Sequence, residues 1–378
     1  MKKALVILLS LFIVGGVFAD APTFAWAGYI ESGFGMLQRD SDDDPIFGTV
    51  APSAGVNGIR AQLQLTFTNA DQNAGVRLRL RAQGEHINDV FFHQGWGWVR
   101  PFGDLIEFRA GRFVDDQLTT MDPLQDTSLF INNVGMLTYI RPLGDMLTIG
   151  LGGFGARGVG TGTPWEGTTV GEGAEATHVH GLTLWGGIGL NLDGLARIMA
   201  QFSHNDSATH ALAGVRLDLL DFLPINVVAR FQNLNDFSDA GRFDALAFVG
   251  INLIDNLGLN VGGAFSMSQN DAHEDPFFAV GGWATFAMGN IVPRLDLWFV
   301  SGGQYNYGQG FHSLTSVMDW GMQQTWNSDF MYFNIRPSVQ FRAFTNMYWQ
   351  LGAVVNINLG DANDGVDYGL FTAVRVSF

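Results

Sequence analysis

The breaks in this chain are sorted by parity. Segments of alternating apolar and polar residues are joined by connections of two kinds, which take turns. One kind is short and rich in turn formers: Pro101–Asp104, Pro142–Asp145, 191–194, 221–224, 255–258 and 289–293. The other is often longer and usually acidic, at 39–57, 84–89, 115–132, 157–177, 204–208, 235–241, 269–276, 301–329 and 360–365. A soluble sandwich has no reason to sort its connections in this way. A strand barrel crossing a membrane does, because its turns are short on one side and its loops long on the other.

The segments between the breaks carry the two-residue period of a strand with one apolar face. In 59–68, Ile59, Ala61, Leu63, Leu65 and Phe67 alternate with Arg60, Gln62, Gln64, Thr66 and Thr68. In 76–83, Val76, Leu78, Leu80 and Ala82 alternate with Arg77, Arg79, Arg81 and Gln83. Segments 242–254 and 276–288 carry bulky residues at both parities. Strands are expected near 23–38, 57–69, 75–84, 89–100, 105–114, 133–141, 146–156, 178–191, 195–203, 209–220, 224–234, 242–254, 257–268, 276–288, 292–301, 330–341, 347–359 and 366–378. The expectation is an all-β fold, a transmembrane antiparallel β-barrel of about 18 strands with 16 as the alternative count. An even count puts both chain ends on the short-turn, periplasmic side.

Composition agrees. Hydrophobic residues make up 47% and charged residues 15%, against about 25% charged in soluble domains. After the first residues no apolar run is long enough for a transmembrane helix. Met1-Lys2-Lys3, an apolar run from Ala4 to Val14 and the ending Val17-Phe18-Ala19 have the form of a secretory signal peptide cut after Ala19. The domain expectation is therefore 1–19 signal peptide and 20–378 barrel, with the first strand too close to the cut for a plug domain. No cysteine is present, which excludes disulfides and thiolate metal sites.

The chain ends Tyr368-Gly-Leu370-Phe-Thr372-Ala-Val374-Arg-Val376-Ser-Phe378, apolar at every second position apart from Thr372. This ending resembles the C-terminal strand of outer-membrane β-barrel proteins, whose terminal aromatic belongs to the assembly signal. With the connection pattern, the mature chain resembles an outer-membrane porin in general architecture. The resemblance implies a bacterial outer-membrane location, lipid around the barrel and recognition by the barrel-assembly machinery. Small hydrophilic solutes or ions would be the cargo, and a homotrimer is compatible with it. No cofactor, metal or nucleic-acid partner is expected.

Removing Lys2 and Lys3 with the export segment leaves 18 arginines against 36 acidic residues, a net charge of −18. Arg77, Arg79 and Arg81 share one face of one strand, with Arg60 on its partner and Arg109 sharing the polar parity of Glu107. On the lipid face each would cost a few kcal/mol near the midplane, so the lumen is their expected place. Like charges repel, so acidic partners are expected nearby. General porins fold their third loop into the barrel, where its acids face an arginine ladder. Here the third loop brings Asp115, Asp116, Asp122 and Asp126, matching that plan in loop order and charge sign. It lacks the Pro-Glu-Phe-Gly-Gly type of loop motif. The candidate channel-lining set is thus Arg60, Arg77, Arg79, Arg81, Arg109, Glu107, Asp115, Asp116, Asp122 and Asp126. Asp218 and Asp296 share lumenal parities with Arg216 and Arg294, so selectivity should be weak.

A hydrolase is not expected. His178, His180, His204 and His210 are scattered at loop edges, and neither GxSxG nor HExxH occurs. Trp96, Trp98, Trp283, Trp298, Trp326, Tyr348 and Trp349 fit interfacial girdles. A sugar-sliding track would need aromatic residues in the lumen, with Trp298 and Phe92 as candidates. The expected function is passive diffusion through a water-filled pore. The rival is a surface adhesin or structural barrel closed by loops 157–177 and 301–329.

Overall fold

The structure is a computed structural model that describes residues 22–38, 44–51, 56–57, 59–84, 90–119, 128–130, 133–155, 169–170, 177–178, 182–205, 208–218, 220, 222–269, 276–302, 331–360 and 365–378. The first strands are β1 (Thr23–Gln38), β2 (Ile59–Thr68), β3 (Ala74–Gly84), β4 (Val90–Val99), β5 (Ile106–Phe113) and β6 (Asn133–Ile140). Next come β7 (Leu147–Gly155), β8 (Leu182–Leu192), β9 (Ala196–His204), β10 (Thr209–Leu217), β11 (Ile225–Gln232) and β12 (Arg242–Ile254). The last are β13 (Leu257–Ser268), β14 (Phe277–Phe286), β15 (Ile291–Ser301), β16 (Met331–Phe344), β17 (Met347–Asn358) and β18 (Gly365–Ser377). Each pairs antiparallel with the next, and β18 pairs with β1, so the 18-stranded sheet closes on itself. Closure leaves the 18 described barrel strands without an edge in that sheet.

Register shows why these sequences make a two-faced wall. Phe24, Trp26 and Ile30 of β1 stand opposite Phe67, Leu65 and Ala61 of β2, and all three β1 residues are exposed. Tyr29 and Glu31 stand opposite Gln62 and Arg60 on the other face, where Glu31 is buried. Apolar residues therefore point out of the barrel and polar ones point in. The two segments with bulky residues at both parities have a local cause. Leu246, Phe248, Phe277, Ala279, Trp298, Val300 and Tyr332 form an apolar patch on the inner wall of β12–β16.

That patch corrects the girdle expectation. Trp298 is buried, and by register Trp283 faces inward opposite Asp296. Trp96 is buried in a second inner cluster with Trp98 packed on it. Tyr348 stands opposite Arg375 on the inner face, whereas Trp349 is exposed outside. Phe92 is exposed outside and cannot serve a lumenal track. Two boundaries also differ. His178 pairs with Thr169 in a small ladder outside the barrel sheet, and β8 begins at Leu182. β16 runs on to Phe344 through a register shift between Phe341 and Phe344. Residues 1–21 and Trp326 lie outside the described residues.

The barrel closes where its first and last strands meet. The Phe378 N–H donates to the Gly28 carbonyl at 2.8 Å, and the Gly28 N–H donates back to Phe378 at 2.7 Å. A Cβ on Gly28 would sit 2.6 Å from the Phe378 ring and 2.4 Å from the Gln62 carbonyl oxygen. Glycine is thus the residue that admits the terminal ring against Trp26, 5.6 Å away between centroids.

Candidate pore-lining site

The arginines of β2 and β3 form rows on the inner face. Arg60 stands opposite Gln83 and Glu31, Arg81 opposite Gln62, Arg79 opposite Gln64 and Arg77 opposite Thr66. Two cross-strand pairs are hydrogen-bonded: Arg79 Nη2 donates to Gln64 Oε1 at 2.9 Å and Arg81 Nη2 to Gln62 Oε1 at 3.0 Å. Each glutamine thus orients a guanidinium. Arg77 lies 5.2 Å from the Trp96 ring centroid, within cation–π range.

The row continues through Trp96 to β5. The Arg109 guanidinium is held between Trp96, at 4.7 Å, and Tyr139, at 4.9 Å. Its Nε donates to Glu107 and its Nη1 pairs with Asp116 at 2.6 Å. Glu107 is buried and also receives Arg100 Nε at 2.8 Å, with Arg141 Nη2 3.6 Å away. A buried carboxylate among three guanidinium groups is compensated, which offsets the cost of removing it from water.

After Phe113 the third loop turns into the barrel. Its described residues, 114–119 and 128–130, pack on the inner face of β6–β9. Phe130 meets Phe113 at 4.7 Å, Phe154 at 5.1 Å and Trp185 at 6.3 Å between centroids. Leu118 sits over a floor of glycines: a Cβ on Gly187 or Gly189 would come within 2.7 or 2.8 Å of its methyl groups. Polar contacts seal the seat. Gln201 of β9 accepts from the Leu129 N–H at 2.7 Å and from Trp185 Nε1 at 3.2 Å, while its Nε2 donates to the Leu118 carbonyl.

The first two loop aspartates divide in role. Asp115 has 0% exposure and accepts from the Tyr139 hydroxyl at 2.8 Å, the Ser128 hydroxyl at 3.2 Å and the Gln117 N–H at 3.0 Å. Burial pushes its carboxyl above the ordinary range, against the backbone and Tyr139 hydrogen bonds that pull it down. It braces the loop through these hydrogen bonds. Asp116 is half-exposed. Burial raises it too, but Arg109 outweighs this, with help from Gln117 and Arg77, and holds it below the ordinary range. The structure thus brings Arg77, Arg109, Glu107 and Asp116 to one place. Asp122 and Asp126 lie outside the described residues.

Sequence reading missed Gln201, Trp96 and Tyr139 as members of this site. Gln201 had one signal, a polar residue at the inward parity of an expected strand. Across the barrel, four of the described arginines pair with aspartates of the same wall. Asp244 receives Arg230 Nη2 and Arg242 Nε, each at 2.8 Å, and Ser266 Oγ at 2.6 Å. Arg216 Nε and Arg294 Nε lie 2.9 Å from Asp218 and Asp296, as their spacing had suggested. Among the described residues no cluster of three or more histidine or acidic side chains could hold a metal.

No family model and no curated protein sequence matches this chain. Solved structures do. OpdO of Pseudomonas aeruginosa aligns with TM-score 0.57 at 8% identity, covering 94% of this chain and 97% of that one. The outer membrane protein OpdK of the same organism aligns with TM-score 0.53 at 9% identity, covering 94% and 99%. An anion-selective porin from Comamonas acidovorans aligns with TM-score 0.50 at 11% identity, covering 94% and 100%. The chain has the closed 18-strand antiparallel barrel fold of outer-membrane porins.

Proposed function

We propose that the protein is a bacterial outer-membrane porin, a water-filled channel for passive diffusion of small hydrophilic solutes or ions. The observation that carries this reading is the seating of the third loop. It lies on the inner wall of β6–β9 and holds Asp116 against Arg109, beside the arginine rows of β2 and β3. Charges of both signs thus meet on the inner wall at one level, an arrangement suited to screening hydrated solutes. Arg60, Arg77, Arg79, Arg81 and Arg109, with Glu107 and Asp116, form the proposed lining. Asp122 and Asp126 join it from their place in the same loop, and Asp115 anchors that loop. The paired charges on the far wall favour weak selectivity. The scheme includes a signal peptide cut after Ala19, insertion through the assembly machinery by β18, and trimers as the assembly to test. Planar-bilayer recording of the folded protein tests the channel. Discrete conductance steps support it, and their repeated absence would favour the closed structural barrel.

A further inference from the structure

We infer that two hairpin turns, joining β4 to β5 and β6 to β7, are immersed in the periplasmic leaflet of the membrane, with phospholipid as their partner. The turns repeat one pattern: Arg100-Pro101-Phe102-Gly103-Asp104-Leu105 and Arg141-Pro142-Leu143-Gly144-Asp145-Met146. Both glycines take φ +60°, and a Cβ on either would meet nothing within 4 Å. Backbone conformation, rather than crowding, therefore calls for glycine here. The turns lie side by side, joined by the Arg141 N–H donating to the Leu105 carbonyl at 2.8 Å.

Their apolar residues are uncovered. Phe102 is 66% exposed and Leu143 61%, and Leu105 and Met146 are exposed beside them. The matching arginines are withdrawn from that surface, because Arg100 and Arg141 both reach inward to Glu107. What remains outside is an apolar patch, with Asp104 and Asp145 exposed beside it, that continues the outer surface of Phe108 past the ends of β5 and β6.

Strand length supplies the reason. β5 and β6 have 8 residues each. A strand residue advances about 3.3 Å, or roughly 2.5 Å along the membrane normal at a tilt of about 40°. Eight residues then span about 20 Å, short of an apolar band about 25 Å tall. The turns supply the missing height. The neighbouring hairpin is the internal comparison. β2 and β3 have 10 and 11 residues, enough to span alone, and their turn reads Asn69-Ala70-Asp71-Gln72-Asn73. The turn between those two full-length strands is polar, whereas each of the two apolar turns joins an 8-residue strand, β5 or β6, to its neighbour. Continuity with the lipid-facing wall makes lipid, rather than a periplasmic protein, the partner.

The inference rests on membrane embedding of the barrel, so its test carries a control for that. The chain has no cysteine, and single substitutions Phe102→Cys, Leu143→Cys, Asp71→Cys and Leu151→Cys can each take a nitroxide label. Leu151 is an exposed residue of the wall itself. Heat-dependent gel mobility first confirms that each variant is a folded barrel. In phospholipid vesicles, labels at Phe102 and Leu143 should collide with oxygen and be shielded from a water-soluble nickel chelate, as at Leu151. The label at Asp71 should show the reverse. If the Phe102 and Leu143 labels follow Asp71 while Leu151 stays in lipid, the inference is wrong and the membrane reading stands. If Leu151 is also open to nickel, both fail. Nickel access in vesicles with protection only in intact cells would replace lipid with a periplasmic partner.

Discussion

Gln201 holds the third loop from both ends of its amide. Gln201→Leu keeps the bulk but leaves the Leu129 N–H, Trp185 Nε1 and the Leu118 carbonyl without that partner. Each unsatisfied buried group costs on the order of 1–3 kcal/mol, comparable with what seats a loop. Single-channel records should show higher or noisier conductance than wild type, and an identical trace would mean that other contacts suffice. The two neighbouring aspartates give this seat a pH dependence. Asp115 is raised above its ordinary 3.8, so it binds more protons folded than unfolded, and its contribution weakens as pH rises from that value through the folded one. Asp116 is lowered, so its ion pair is present above 3.8 and lost as pH falls through its folded value. Acidification from neutrality toward pH 4 should therefore leave the loop seated, and conductance noise should rise only below it. A noise increase already at pH 5 would contradict this assignment. From sequence, the parity of Arg77, Arg79 and Arg81 was enough to place them on one face. The brace role of Asp115 was not legible, because it depends on Tyr139 and Gln201, far away in sequence and brought near only by the fold.

Strands were legible because period two is a local signal and closure is not required to see it. β1, β12 and β13 have the expected ends, 23–38, 242–254 and 257–268. The expectation failed where a local pattern has two owners. The tryptophans at 96, 98, 283 and 298 suit a membrane girdle by type, but cross-strand register turns them inward, and register is a property of pairs. The closing strand belongs to this scale as well. Phe378→Ala removes the ring over Gly28, and a chain stopped after Asp367 loses nearly all of β18. An unclosed sheet would leave backbone groups of β1 and β17 without partners in lipid. Both variants should be exported yet inserted poorly, the truncation more severely, as read by heat-dependent gel mobility of outer-membrane fractions. Normal insertion of the truncated chain would show that β18 is dispensable for closure. Gly28→Val should act like Phe378→Ala, since the added atoms take the place of the ring.

The two walls of the barrel hold arginines on different described partners, a difference that can be tested without knowing the solute. On the far wall, Arg230, Arg242, Arg216 and Arg294 each pair with an aspartate on the same wall. On β2 and β3, Arg79 and Arg81 bond to neutral glutamines and Arg77 lies on Trp96. Replacing Arg77, Arg79 and Arg81 together by Gln removes three positive charges from one wall and leaves Asp116 facing a less positive inner face. Glutamine keeps polarity and much of the bulk, so the barrel should still close and conduct. Mobile ions follow the local potential, and removal of fixed positive charges shifts the balance in favour of mobile cations. Under a KCl gradient the reversal potential of the triple variant should move toward the potassium potential relative to wild type. The shift should be largest at low salt, because the screening length falls from about 10 Å at 0.1 M to about 3 Å at 1 M. Arg294→Gln is the matched comparison. It removes a charge already paired with Asp296, yet it too moves selectivity toward cations by freeing that carboxylate, so the comparison lies in size per charge. If the triple variant conducts at low salt with an unchanged reversal potential, ions do not pass close to β2 and β3, and the narrow part of the pore lies elsewhere.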